Sequence, residues 1–464
     1  MPVIFEPFRI KVVEPIPLPS PGERRARLQE AGFNLFALRA EDVTFDLLTD
    51  SGASAMSAAQ WAALVQGDES YAGSRSFFEL QSVVRDLTGY RHLIPTHQGR
   101  AAERIVFTLT IRPGSVVPSN AHFDTTRANI EFGGGEALDL VIPEGRDPAS
   151  RHPFKGNIDL QRLDEACRTH AGKIPLGMLT LTNNSGGGQP VSLANVRAAA
   201  EILHSHGIPL ILDACRIAEN GWFIREREPG QAGRSVRQIV QELHRCADGC
   251  TFSAKKDGLV NIGGFLALND DELAERARQL LILTEGFPTY GGMAGRDLSA
   301  MAVGIEEALD HRYLEYRVAT SRYLAEGLNR AGIPTVQPPG GHAVYIDAKS
   351  LLPHIPPERF PGQSLACELY LEGGIRSCEI GTAMQGRTDG QGCCVPAAME
   401  LVRLALPRRV YTQSHVDRIL EICAAVAARR DELPGYRMVA APRFLRHFTA
   451  RFEPVLRLEV LQAR

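Results

Sequence analysis

The sequence predicts an α/β protein with a largely parallel sheet. Between about residue 50 and residue 300, short apolar strand-like runs alternate with stretches of helical periodicity, the order that builds such a sheet. Glycine clusters at Gly133–Gly135, Gly186–Gly188 and Gly291–Gly292 punctuate them as loops. At 464 residues, 44% hydrophobic and 23% charged, the composition is that of a soluble chain able to bury a large core.

Residues 1–45 are Pro-rich and irregular, with one charged helical piece near Gly22–Gly32, as in a segment that wraps a neighbour. Strands are expected at Leu176–Thr182, Ile208–Asp213, Gly249–Ser253 and Gly264–Leu268. Helices are expected at Ala194–His206, capped by Ser192, and at Asp270–Leu283. Leu298–Arg330 reads as one long helical region linking two domains. Beyond it, strands at His342–Ile346, Gly374–Ser377 and Val402–Leu406 mix with helices at Ser364–Leu371 and Ser414–Arg430, which suits a smaller α/β or α+β domain. The expected division is 1–48 as an arm and part of the small domain, 49–310 as the large domain and 311–464 as the small one.

A net charge of −3 and a pI near 6.5 argue against nucleic-acid or anionic-membrane partners. No apolar stretch approaches the ~20 residues of a membrane span. The start, Met1-Pro-Val-Ile-Phe-Glu-Pro, lacks the basic and apolar regions of a signal peptide. Nine cysteines, with Cys246 and Cys250 four apart and Cys393 beside Cys394, fit neither a zinc site nor a redox pair; reduced thiols in the cytoplasm are expected.

The chemistry concentrates in Cys250-Thr-Phe-Ser-Ala-Lys-Lys-Asp257, a strand running into a loop with Ser253, Lys255 and Lys256. Lysine is rare in this chain, yet two are adjacent here. Upstream, Ile208-Pro-Leu-Ile-Leu-Asp213 ends an apolar run in an acid, with Arg216 following. A strand-end acid and a lysine in a Ser-x-x-Lys turn are what pyridoxal 5'-phosphate (PLP) needs: the acid keeps the pyridine nitrogen protonated and the amine forms a Schiff base. The competing reading is a buried carboxylate with two solvated lysines.

Other segments fit the same picture, each with a plainer alternative. Thr96-His-Gln-Gly-Arg100 precedes an amphipathic helix, so backbone N–H groups, the positive helix end and a guanidinium are offered to a phosphate; many such turns bind nothing. Asn183-Asn-Ser-Gly-Gly-Gly-Gln-Pro190 follows a strand, either at the ligand crevice or as an ordinary loop. Leu48-Thr-Asp-Ser-Gly52 and Gly67–Ser74 are polar loops, with Tyr71 either exposed or packed. Arg403 sits inside an apolar strand and needs an anion, whether an internal acid or a substrate carboxylate. Phosphate-binding P-loop, nucleophile-elbow and His-Glu-x-x-His motifs are absent, and the thirteen histidines do not cluster as metal ligands.

Taken in order, Glu6-Pro-Phe-Arg-Ile, Asp46-Leu-Leu-Thr-Asp-Ser-Gly, Pro95-Thr-His-Gln-Gly-Arg, Gly187-Gly-Gln-Pro-Val-Ser, Ser253-Ala-Lys-Lys-Asp, Glu285-Gly-Phe-Pro-Thr-Tyr-Gly-Gly, Gly340-Gly-His-Ala and Leu445-Arg-His-Phe-Thr-Ala resemble the β-eliminating lyases from about residue 5 to 453. The resemblance implies the aspartate aminotransferase-like fold of PLP-dependent transferases (fold type I), with a large PLP domain and a smaller α/β domain. It implies homotetramers with active sites between paired subunits. By position, Lys256 is the Schiff-base lysine, Asp213 meets the pyridinium nitrogen and Phe123 stacks on the ring. Gln98 contacts the cofactor, Gly99, Arg100, Ser253 and Lys255 hold its phosphate, and Asn184 and Arg216 sit by its phenolic oxygen. Thr49, Asn184 and Arg403 receive the substrate carboxylate, and Phe448 contacts the substrate. Tyr71 reaches a neighbouring subunit's site to help protonate the leaving group. The family's monovalent cation, usually potassium (K+), falls to Gly52, Glu69 and Asn261.

The family has an indole-releasing and a phenol-releasing branch. Asp124, Ile380 and His447 match the former: Asp124 and His447 orient the indole and support protonation of its carbon, and Ile380 packs its ring, whereas a phenol oxygen needs a polar partner. Gly52–Met56, Ala121–Phe123 and Asn261–Gly264 lean to the other branch or to neither. The expected reaction is β-elimination of L-tryptophan to indole, pyruvate and ammonium. Elimination of phenol from L-tyrosine is the alternative, with a transaminase or a non-catalytic PLP binder of the same fold as remoter ones.

Overall fold

The computed structural model describes residues 4–388, 394–442 and 445–455; Cys393 lies outside them. Seven strands form the main sheet: β1 (His92–Thr96), β2 (Val116–Ser119), β3 (Glu136–Asp139), β4 (Gly177–Thr180), β5 (Leu210–Asp213), β6 (Gly249–Ser253) and β7 (Gly264–Leu268). Their order in space is β1-β7-β6-β5-β4-β2-β3. Neighbours from β6 through β3 run parallel, and β7 is antiparallel to both β6 and β1. The reversal has a physical cause. Residues 254–263 are too few for a crossover helix, so the chain turns back as a hairpin.

Alternation along the strands sends side chains to two cores. Met178, Ile211 and Leu266 pack with Ile105, Val106 and Leu281 on one face. Leu179, Leu212 and Phe252 pack with Val196, Ile239 and Met301 on the other. Each fully buried leucine or isoleucine contributes about 1.5–3 kcal/mol relative to exposure.

The long helical region is two helices, α1 (Gly295–Ala308) and α2 (His311–Arg330), rather than one. Asp310 breaks it, taking the Tyr313 N–H on its side chain as an N-cap. A three-stranded antiparallel sheet follows, with β8 (Ala343–Asp347), β9 (Cys378–Ile380) and β10 (Leu401–Ala405) in the order β9-β10-β8. One face packs on Leu324 and Leu328 of α2, on Leu365 and Ile419, and on Leu28, Leu35 and Phe45 from the N-terminal segment. The expected helical piece near Gly22–Gly32 is Pro21–Glu30, opened by a Ser20–Glu23 capping box. The expected strand at 374–377 shrinks to Ile375–Arg376, which pairs in parallel with Phe45–Asp46 and ties the arm to this unit.

Candidate functional site

Strand ends and helix starts of the main sheet converge on a cavity of about 570 Å³. Asp213 closes β5 and Ser253 closes β6; the turn after β6 brings Lys255 and Lys256 to the same hollow. Gln98, Gly99, Arg100, Phe123, Asn184 and Arg216 also line it. Ten residues singled out in the sequence, from segments up to 158 positions apart, thus meet in one place.

The Lys256 Nζ donates to Ser253 Oγ at 3.1 Å. Helix Gly99–Thr110 starts at the cavity wall, and Gln98 caps it with no side-chain hydrogen bond. Its first N–H groups therefore remain open to an anion. Gly99 is required there: a Cβ would lie 2.6 Å from the Ser253 Cβ. Among the described residues neither the Arg100 guanidinium nor the Lys255 ammonium has a hydrogen-bonded partner or an ion pair, although the Lys255 carbonyl accepts the Gly52 N–H. Burial, then the charges of Lys256 and Arg100, lower the basicity of Lys255. An open helix start, a glycine-narrowed cradle and unpaired cations fit a phosphate, and a carboxylate opposite fits a protonated ring nitrogen.

Several lining residues were not anticipated. Glu103, one helical turn beyond Gly99, accepts the hydroxyls of Thr125 (3.2 Å) and Thr126 (2.6 Å). Burial and the neighbouring Asp213 charge push its carboxyl up to about 7. The i, i+4 spacing from Gly99 was the available signal. Arg216 is gripped by Asp50, with Nε to Oδ2 at 2.9 Å and a terminal nitrogen to Oδ1 at 2.7 Å. Asp50 also takes Arg408 (2.9 Å), which reaches Glu219 (3.1 Å) and Asp257 (3.0 Å), while Arg317 reaches Glu219 at 3.1 Å. Burial opposes the charge on Asp50, but Arg216 and Arg408 hold it well below the usual carboxylate range.

The second face of the small sheet supplies another wall. In register, Cys378, Arg403 and Tyr345 are cross-strand partners, and Ile380 lies two residues along the same face. The Tyr345 hydroxyl donates to Asn184 Oδ1 at 2.8 Å, joining this face to the cavity. Arg403 is 6% exposed and donates to the Leu48 carbonyl at 2.6 Å. Its Nε has no partner, and no acid pairs with it among the described residues. Of the two sequence readings for this arginine, the internal acid is therefore absent. Thr49, adjacent to Leu48, accepts the Ser51 N–H at 3.1 Å. His447 Nε2 lies 3.3 Å from Asp124 Oδ2, and the His447 and Phe448 rings pack 4.0 Å apart.

Four expected residues stand apart. Tyr71 is 69% exposed, away from the cavity, against Phe287 and Tyr290. Gly52 and Asn261 are neighbours, the Asn261 amide donating to the Gly52 carbonyl at 2.8 Å. Glu69 instead pairs with Arg296 at 3.1 Å, so one chain alone does not assemble the expected cation ligands.

The sequence profile described as Beta-eliminating lyase matches residues 46–421. A tryptophanase from Salinibacter ruber is 60% identical, over 98% of this chain and 96% of its own length. A tyrosine phenol-lyase from Intrasporangium calvum is 51% identical over the same shares. Among solved structures, a Sphingomonas wittichii serine palmitoyltransferase shares the fold, with a TM-score of 0.58 at 16% identity over 89% of this chain and 97% of that one.

Proposed function

Because the chain belongs to the β-eliminating lyase family, we propose that it splits L-tryptophan into indole, pyruvate and ammonium with PLP. The observation that carries the substrate reading is the face shared by Arg403 and Ile380. A buried guanidinium without an acid awaits a carboxylate, and an isoleucine two positions along that face suits an indole ring better than a phenol. When bound, PLP supplies the electron sink that makes loss of the Cα proton affordable at neutral pH.

The chain's own groups do the rest. Gly99, Arg100, Ser253 and Lys255 hold the phosphate, and Phe123 covers the ring. Asp213 holds a proton on the ring nitrogen, and beside it burial pushes the Glu103 carboxyl up to about 7. Lys256 Nζ anchors the cofactor and, once displaced, takes the Cα proton. Arg403, Asn184 and Thr49 fix the substrate carboxylate, which sets the Cα–H bond toward Lys256. Asp124 and His447 move a proton toward the leaving carbon.

Finer proposals accompany this reading. The exposed, aromatic-packed Tyr71 completes the site of a neighbouring subunit in a homotetramer. A potassium ion is bound once that neighbour brings Glu69 to Gly52 and Asn261. The domains divide at residues 48 and 310, and the enzyme resides in the cytoplasm, where its cysteines, eight of them unpaired among the described residues, stay reduced.

Incubating the purified protein and PLP with L-tryptophan and L-tyrosine separately tests the reading. Indole and pyruvate in equal amounts are expected from tryptophan. Phenol released faster than indole would assign the other branch.

A further inference from the structure

Beside the substrate wall lies a second, much smaller hollow, with room for about one water. Asn34, Phe36, Gln363, Ser377, Glu379 and His447 line it. Ser377 Oγ and both His447 ring nitrogens are buried with no hydrogen-bond partner among the described residues. Ser377 is fully buried and His447 is 6% exposed. A buried polar group left unsatisfied is costly, and a polar hollow with several such groups is where ordered water settles. His447 Nε2 stands at ion-pair distance from Asp124 Oδ2 but out of line for a hydrogen bond. His447 therefore joins this cavity to the Asp124 side of the substrate pocket.

Glu379 is the acid of the cavity. Its two oxygens accept the N–H groups of Ala383 and Met384, each at 3.0 Å. Glu400 accepts the N–H of Thr382 at 3.1 Å and its hydroxyl. The two carboxyls crowd one spot: a Cβ on Gly381 would lie within 3.0 Å of an oxygen of each. A charge on one of them disfavours a charge on the other. Burial raises Glu400 as well, although the Thr382 hydroxyl and N–H oppose it; burial, then the Glu400 charge, push Glu379 up to about 8. Among the described residues, the other charged or titratable groups around the pair are Arg446 on the Thr382 and Ala383 carbonyls, Lys349, Glu358 and Cys394 beside Glu400, and Cys378 and Arg403 on the opposite face of the strands.

We propose that Glu379 is the proton reservoir for the leaving carbon, acting through water in this cavity and then through His447. The proposal rests on the tryptophan reading, because a carbon leaving group cannot depart without a proton. The balance closes without oxidant or reductant. The Glu379 O–H bond breaks as a water O–H bond forms, and that water passes another proton to His447. A His447 N–H bond then breaks as the new C–H bond forms on the indole. The bond from the indole carbon to the substrate's β carbon breaks, and its electron pair restores the aromatic ring. Glu379 regains a proton from solvent, matching the one Lys256 takes from Cα and releases.

The test uses PLP-loaded wild type and E379Q, assayed between about pH 6 and about pH 10. The substrates are L-tryptophan and β-chloro-L-alanine, whose chloride leaves without a proton. E379Q is expected to lose about a hundredfold in kcat on tryptophan. KM and β-chloroalanine turnover should stay within about twofold. In wild type, tryptophan turnover should fall as pH rises through about 8, and β-chloroalanine turnover should not follow. Equal losses on both substrates in E379Q, or an unchanged tryptophan profile, overturn the reservoir. If E379Q does not fold, the wild-type profiles decide, and parallel profiles across that pH overturn it. A wild type that releases no indole fails the tryptophan reading itself, so the two failures are distinguishable.

Discussion

The cofactor cavity and the substrate wall meet at Asn184, yet they are assembled in different ways. Each cavity residue is aimed by its own local backbone: Asp213 and Ser253 by the ends of β5 and β6, Lys256 by the turn that follows, and Arg100 by the first turn of its helix. The substrate wall is aimed by pairing between remote segments. Arg403 lies on β10 between Cys378 and Tyr345 and reaches back to Leu48, and His447 comes from a turn near the end of the chain. A cavity built locally tolerates small shifts between the two units, whereas a wall built from remote strands depends on how those units are joined. The joint is the buried ionic cluster around Arg408.

That contrast breaks most sharply at the joint. Replacing Arg408 by Met leaves Asp50, Glu219 and Asp257 buried around a missing charge. Urea unfolding should show a loss of about 3–5 kcal/mol; an unchanged midpoint would mean that the cluster does not hold the units together. A smaller effect is expected on the wall itself. Arg403→Lys keeps the charge and loses the fork, so KM for tryptophan should rise ten- to a hundredfold, the equivalent of about 1.4–2.7 kcal/mol. Cofactor affinity should stay unchanged in the same titration. The smallest effect belongs to the cavity: Gly99→Ala forces a methyl against Ser253. An overpacking cost at the low end of the usual range, about 1 kcal/mol, predicts a PLP Kd raised about fivefold, with KM measured at saturating cofactor little altered.

The same division decided what could be read from the amino-acid order. Gly249–Ser253 and Gly264–Leu268 were expected with the bounds they have, because short apolar runs end at glycine or at a polar turn. The cavity residues were legible for a related reason: each belongs to a short motif whose geometry is local. The reversal of β7 was not legible from composition, since only the length of the preceding loop dictates it. The break at Asp310 was hidden because the helical periodicity runs across it. Asp50 and Arg408 stand 358 positions apart, and nothing in either segment announces the other. Asp50 had looked like part of a polar loop, although it is fully committed to two arginines. Arg403 was legible as a buried cation in need of an anion; only the folded chain removes the internal acids from contention.

The whole account depends on Lys256 and Asp213 holding one ring between them. Sodium borohydride converts an imine between a lysine and PLP into a stable amine, and peptide mass mapping then finds the modified lysine. The account predicts one pyridoxyl group per chain, on Lys256, with little label in Asp213→Ala. Label on Lys255 or elsewhere, or no label at all on protein saturated with PLP, would contradict it.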